Sequence, residues 1–295
     1  ISAFDEIRKG QPTADLRGYN YVNPSIQAAM KRFNEAYVNR VNRYTGVAYK
    51  DEPAIMGMLV TNENDLTHHF GNALLPDKNV AWHNAIYMRE ASEFAAAKGL
   101  SNQATWRSWE HGPSKIFLND LEHRFQAEMV RHLRAQGVKV PIATTNQWGG
   151  NPISSLPALT AGSVIDGHAY GGLGELEKNP LQAATFVHWL AAGQVAGKPY
   201  TVTEWNVDAF PAPDRHAAPL YMAASAAHQG WAAVMQYAYA QVPLDAVHGP
   251  SPWHAFNDPS MIATLPAAAL LFRRDDVRQA TTTYVFAPTP DMLFN

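Results

Sequence analysis

Pro53-Ala-Ile-Met-Gly-Met-Leu-Val-Thr-Asn-Glu-Asn-Asp65 is the stretch on which the fold turns. Residues 53–60 are a short continuous apolar run, and residues 61–65 are polar throughout. A run of that length with an abrupt polar end reads as a strand buried on both faces, as in a parallel sheet, followed by an exposed loop. The same reading recurs downstream. Val140-Pro-Ile-Ala-Thr-Thr145 runs out into Asn146-Gln147-Trp148, and Val164-Ile-Asp166 into Gly167-His168-Ala169-Tyr170. Pro199-Tyr-Thr-Val-Thr203 ends in Glu204-Trp205-Asn206, and Ala232 to Tyr237 forms the last such run.

Helical patterns separate these runs. Asn23-Pro24 is an N-cap followed by an N1 proline, and Ile26, Met30, Phe33, Tyr37 and Val41 follow at helical spacing as far as Gly46. Further helices are predicted near 82–98, 114–136, 181–195 and 216–228, with a last one from Phe256 to Phe272. Strands that alternate with helices give either a doubly wound sheet or a barrel. Polar and aromatic residues crowd the exit of each strand, which favours the (β/α)8 barrel, an α/β fold whose loops after every strand share one face.

The runs are then strands four to eight of that barrel. Residues 1–52 hold one helix and no buried strand, so strands one to three are expected on a segment that precedes this chain; otherwise the barrel reading fails. Residues 1–274 are assigned to the barrel. Thr281-Thr-Thr-Tyr-Val-Phe286, β-branched and aromatic, is predicted to be a strand, so 275–295 is assigned as the start of an appended β-structure.

Composition narrows the chemistry. Only 17% of the 295 residues are charged, with 23 basic against 26 acidic and a formal net charge of −3, so no footprint for nucleic acid stands out. The chain has no cysteine, which removes disulfides, thiolate metal sites and cysteine nucleophiles together. No apolar run approaches a bilayer's span; Leu265–Phe272 is far too short. The chain starts with Ile1 rather than methionine, as a processed product or fragment would. No cofactor or metal is expected. His68-His69 lacks a carboxylate partner at ligand spacing, Gly171-Gly172-Leu-Gly174 lacks the features of a phosphate loop, and Ser154-Ser155 has no flanking elbow glycines.

Two glutamates, Glu63 and Glu204, follow two different strands. A lone Glu after a strand is ordinarily a solvated or helix-capping carboxylate. A pair at one barrel mouth could instead divide acid/base and nucleophilic work.

The neighbours of the pair carry a resemblance. Tyr44-Thr45-Gly46-Val-Ala-Tyr49-Lys-Asp51-Glu-Pro53, leading into Thr61-Asn62-Glu63-Asn64, resembles the approach to strand four in clan A glycoside hydrolases, the (β/α)8 retaining enzymes that include cellulase-like and mannanase-like families. Thr203-Glu204-Trp205-Asn206 is similar to the clan's strand-seven segment, and His168-Ala-Tyr170 to its strand-six His-x-Tyr. The three motifs stand in the clan's order over residues 44–206.

The resemblance implies a retaining glycoside hydrolase acting on a polysaccharide or oligosaccharide. Glu63 is then the acid/base, Glu204 the nucleophile, Asn62 a donor to the sugar 2-hydroxyl, Tyr170 a hydroxyl beside the nucleophile, and His168 a support. The clan's strand-two arginine and strand-eight tryptophan have no match here. Trp148, Trp205 and Trp253 are candidate sugar platforms, with Asn146 a hydrogen-bond partner beside Trp148; Trp106 and Trp109 could wall a cleft. Alternatives are a catalytically silent carbohydrate-binding or polysaccharide-assembly protein on the same scaffold, a transglycosylase, or a doubly wound protein using both glutamates as caps. A polymeric substrate, the lack of cysteine and the first residue point to a secreted or periplasmic place.

Overall fold

The computed structural model describes residues 18–70, 81–100, 112–149, 152–244, 249 and 251–294. The chain divides into two compact units, 1–163 with 287–295, and 164–286.

The first unit holds helices α1 (Pro24–Val38), α2 (Ala81–Lys98), α3 (Pro113–Ala135) and α4 (Pro152–Leu159), with strands β1 (Met58–Leu59), β2 (Ile142–Ala143) and β3 (Asn146–Gln147). Helix α1 starts where the sequence places it: Asn23 Oδ1 accepts from Ser25 N at 2.8 Å and Ile26 N at 3.2 Å. It ends earlier than the apolar spacing predicts. Val41 lies beyond it, in an antiparallel bridge to Ala48, and Phe33, Tyr37 and Val41 are exposed. The core of this unit forms instead where Tyr19, Tyr21 and Leu66 meet Tyr87 of α2 and Phe117, Leu118 and Met129 of α3.

Strands β1 and β2 run parallel, Met58 opposite Ile142. Met58 N donates to Pro141 O at 2.9 Å and Val60 N to Ala143 O at 3.1 Å. The strand is therefore shorter than the apolar run 53–60, and Met58 and Leu59 are half-buried, not enclosed on both faces. Residues 142–147, in contrast, are all buried, so the polar exit Thr144–Gln147 belongs to the interior.

The second unit is a parallel three-strand array, β4 (Ile165–Gly171), β5 (Tyr200–Val207) and β6 (Ala233–Gln236), in that spatial order. Helices α5 (Phe186–Ala191), α6 (Ala218–Gln229) and α7 (Pro259–Arg273) belong to it. Helix α5 is much shorter than the span 181–195 predicts. Thr185 caps it late, its Oγ1 accepting from Val187 N at 3.3 Å while its own N–H donates to His188 Nδ1 at 3.0 Å. Helix α7 begins at the Asp258-Pro259 cap and N1 pair.

Residues 281–286 form no strand: they carry no regular secondary structure, are exposed and have no β partner among the described residues, and Tyr284 is 94% exposed. β-branched and aromatic residues favour a strand only where another strand pairs with them. The chain then enters a short helix, α8 (Pro290–Phe294), counted with the first unit.

Gly167 marks a close approach between β4, β5 and α5 in the second unit. A Cβ there would meet Tyr200 Oη at 2.3 Å and Leu190 Cδ2 at 3.3 Å, whereas one at Gly172 would meet nothing within 4 Å. Gly167→Ala is expected to lower unfolding stability by about 1–3 kcal/mol through overpacking. Gly172→Ala is the control and should leave the denaturation midpoint near that of the parent.

Candidate active site

In the first unit, β1 hands its ladder over to side chains at the exit. Thr61 N still donates to a main-chain oxygen, Thr144 O, at 3.0 Å. Beyond it, Glu63 N donates to Asn146 Oδ1 at 2.9 Å and Asn64 N to Thr145 Oγ1 at 3.0 Å. Glu63 has a φ of 45°, in the left-handed region that costs a residue with a side chain about 1–3 kcal/mol. A main-chain bend of this kind persists only where neighbours fix it, and the two acceptors after β2 do so. Glu63 is half-buried and Asn62 exposed. Asn146, expected from the sequence as a sugar contact, is buried and commits its carbonyl oxygen to the Glu63 backbone. Trp148 follows β3 and is half-buried. Trp106 and Trp109 lie outside the described residues.

A buried polar cluster underlies this exit. Glu122 Oε2 accepts from Leu66 N at 2.9 Å, Asp65 Oδ1 accepts from His68 N at 2.8 Å, Tyr21 Oη donates to Asn64 O, and Lys115 Nζ donates to Thr67 O. Burial pushes the Glu122 carboxyl well above the usual range, and the charge of Asp65 adds to that; the Leu66 N–H opposes both. Burial also lowers Lys115, against the pull of Asp65. The sequence carries a signal for this cluster that the strand-exit reading passes over. Glu122 lies on the same stripe of α3 as Leu118, Leu121, Phe125 and Met129, all buried. A carboxyl on an apolar stripe is a buried one.

In the second unit, β4 and β5 pair with a register shift. Gly167 faces Val202, but the next residue, His168, faces Glu204, so Thr203 is one extra residue on β5. In a regular strand Thr203 and Glu204 would point to opposite faces; at a bulge both can turn toward one partner. Both reach His168. Thr203 Oγ1 lies 2.9 Å from His168 Nε2, and Glu204 Oε2 lies 3.6 Å from Nδ1. Tyr170 Oη donates to the same Glu204 oxygen at 2.6 Å.

Below them, Asp166 is buried and accepts from the hydroxyls of Thr203, at 2.6 Å, and Thr201. The Thr203 proton is thus committed to Asp166, so its oxygen is free to accept, and Nε2 of His168 is the nitrogen that carries hydrogen there. Both ring nitrogens of His168 thus face protein groups. Asp166, Thr201 and Thr203 are the residues the sequence reading missed. Their signal is the two-residue spacing of Thr201 and Thr203 on a strand beside another strand that carries Asp166 and His168 at the same spacing.

Trp253 is half-buried and stands edge-on to Tyr170, with ring centroids 5.2 Å apart at 74°. Trp205 is 2% exposed. The expectation that it floors an open sugar site is corrected by its place on the strand: the residue after Glu204 points to the opposite face and packs inside.

Comparison with known proteins agrees with this fold. No family model matches the chain. A stretch of 43 residues, 15% of this chain and 10% of the relative, is 49% identical to mannan endo-1,4-beta-mannosidase 3 of Arabidopsis thaliana. The endo-beta-1,4-mannanase of Thermotoga petrophila superposes with a TM-score of 0.52 at 15% identity, covering 86% of this chain and 51% of that one. A beta-galactosidase from Rahnella sp. R3 gives a TM-score of 0.51 at 14% identity over 92% of this chain and 45% of that one. The chain thus spans about half the length of these solved structures and a tenth of the curated relative. The likeness is one of fold, the α/β barrel that the alternation of strands and helices predicts.

The Glu122 carboxyl generates a pH test. Its folded form binds a proton that the unfolded chain gives up near the ordinary value, so stability falls as pH rises from about 4.3 toward the raised folded value, by up to about 1.4 kcal/mol per pH unit. Glu122→Gln keeps an oxygen for Leu66 N–H and cannot ionise. It should flatten this slope and be the more stable form at neutral pH, as read from denaturant midpoints across pH 4–8; an unchanged slope would assign the raised value to another group.

Proposed function

We propose that this chain carries the catalytic carboxylates of a retaining glycoside hydrolase, with Glu204 as nucleophile and Glu63 as general acid/base. The single observation that carries the reading is the setting of Glu204. It lies within the parallel strand β5, its Oε2 receives the Tyr170 hydroxyl at 2.6 Å, and His168 lies beside it on a support of Thr203 and Asp166. Double displacement needs a carboxylate held still and oriented at the anomeric carbon, and a donor that releases its oxygen as the sugar bond forms. The Tyr170 hydroxyl meets both needs. Glu63, half-buried and fixed in a bent main chain by Asn146, supports the second role: an acid/base must reach the glycosidic oxygen first and a water afterwards without moving far. Asn62, exposed beside it, is available to a sugar hydroxyl.

In the first half-reaction Glu204 attacks the anomeric carbon while Glu63 protonates the departing oxygen. In the second, Glu63 takes a proton from water, which displaces Glu204 and restores both groups. The chemistry requires the two carboxyls to be about 5–5.5 Å apart. A β-1,4-mannan is the first substrate to test, since two of the relatives above are named for it; a galactoside is the second, because a barrel of equal likeness bears that name. A polymeric substrate of this kind is in keeping with an enzyme that acts outside the cytoplasm.

Incubation with an activated 2-deoxy-2-fluoro glycoside, followed by peptide mass mapping, should find the sugar on the peptide that holds Glu204. Glu204→Ala should lose nearly all turnover. Glu63→Ala should keep measurable cleavage of aryl glycosides with good leaving groups and regain rate with azide, because such substrates need no proton donor. An adduct on another residue, or oligosaccharide binding with no turnover and no adduct, would overturn the assignment, the latter in favour of a silent carbohydrate-binding protein.

A further inference from the structure

Arg215 is 4% exposed, yet every arm of its guanidinium is engaged. Nε donates to Asp258 Oδ2 at 2.6 Å, one terminal nitrogen donates to Val207 O, and the other reaches Asn206 Oδ1 at 3.3 Å and Pro252 O at 3.2 Å. Three segments meet there: the end of β5, the loop before Trp253, and the start of α7. Asn206 binds the same loop, its Nδ2 donating to Pro252 O and Tyr237 O at 2.6 Å each. Pro252 O is therefore held by two donors one residue before Trp253. Trp253 in turn stands against Tyr170, whose hydroxyl holds Glu204.

Asp258 is shared between two tasks. Its Oδ1 accepts from Ser260 N at 3.1 Å and Met261 N at 3.3 Å to cap α7, while Oδ2 takes the arginine. Burial alone would raise its carboxyl, but the hydrogen bonds from Ser260, Arg215 and Met261 and the charge of Arg215 outweigh that and hold it below the usual range. The ion pair so formed is anchored to a helix, and only a planar fork can span all of these acceptors together.

We infer that Arg215 is a positioning residue that fixes Trp253 against Tyr170 and thereby sets how tightly a sugar is held beside Glu204. The link to sugar binding rests on the function proposed above. The hold on Trp253 does not. Arg215→Lys keeps a charge for Asp258 but, as a point donor, releases Pro252 and Asn206. Arg215→Met with Asp258→Asn removes both charges at once and retains a capping side chain, so a buried lone carboxylate does not confuse the result.

The test labels the chain with 5-fluorotryptophan, assigns the Trp253 resonance with Trp253→Phe, and counts active sites with the fluoro-sugar. Arg215→Lys should shift or broaden the Trp253 signal while that of Trp231, packed on Tyr200 elsewhere in the unit, stays in place. Per labelled site, KM for an oligosaccharide should rise about tenfold with a smaller change in kcat, the pattern of lost ground-state positioning. The double variant should behave likewise. A Trp253 resonance unchanged in both variants, or KM and kcat per labelled site both equal to the parent's, would overturn the inference even if stability falls. If the parent itself takes no label on Glu204, the functional reading fails, and the fluorine spectrum still decides whether Arg215 holds Trp253.

Discussion

One extra residue on one strand, the bulge at Thr203, organises the second unit. Parallel pairing of β4 with β5 sets Asp166 and His168 on one side, and regular alternation would turn either Thr203 or Glu204 away from them. The shift lets both face His168. From that single departure follow the hydroxyl bridge from Asp166 to Thr203, the orientation of the imidazole and the meeting of Tyr170 with Glu204. A strand without the bulge would keep the same residues and lose their convergence.

The first unit reaches a comparable end by different means. Glu63 is held through its main chain, not through a strand register. The left-handed bend there costs energy, and the hydrogen bonds from Glu63 and Asn64 to Asn146 and Thr145 offset it. The cluster beneath, with Glu122 and Asp65 buried close together, adds a further cost of desolvation that hydrogen bonds to Leu66 and His68 reduce. Both costs fall behind one strand exit, where stability is given up for a fixed geometry.

The Arg215–Asp258 pair shows the same preference for order. Breaking a buried ion pair from one side costs about 3–5 kcal/mol, while removing both partners can cost little. Its value lies in geometry: four hydrogen bonds from one planar guanidinium tie the end of β5, the Trp253 loop and the cap of α7 together. Positioning of this sort is invisible to composition, because an arginine in a loop is ordinarily a solvated one.

The sequence by itself determined the alternation of strands and helices and the place of Glu63 after a strand, because apolar run length and capping residues are local signals; Glu204, expected past the end of its strand, lies within β5. That His168 and Tyr170 stand beside the second glutamate was implied by the motif resemblance and not by local pattern; in the structure both lie against Glu204. Local pattern misjudged what depends on partners. Residues 281–286 have strand propensity but pair with no strand among the described residues; α1 and α5 stop short of their apolar spacing; Trp205 turns inward because its neighbour Glu204 turns the other way. Only the tertiary structure decided the bulge, the Asn146 hold on Glu63, the buried Glu122 and the reach of Arg215, since each joins residues distant in sequence, and local pattern carries no record of which distant group will satisfy a given hydrogen bond.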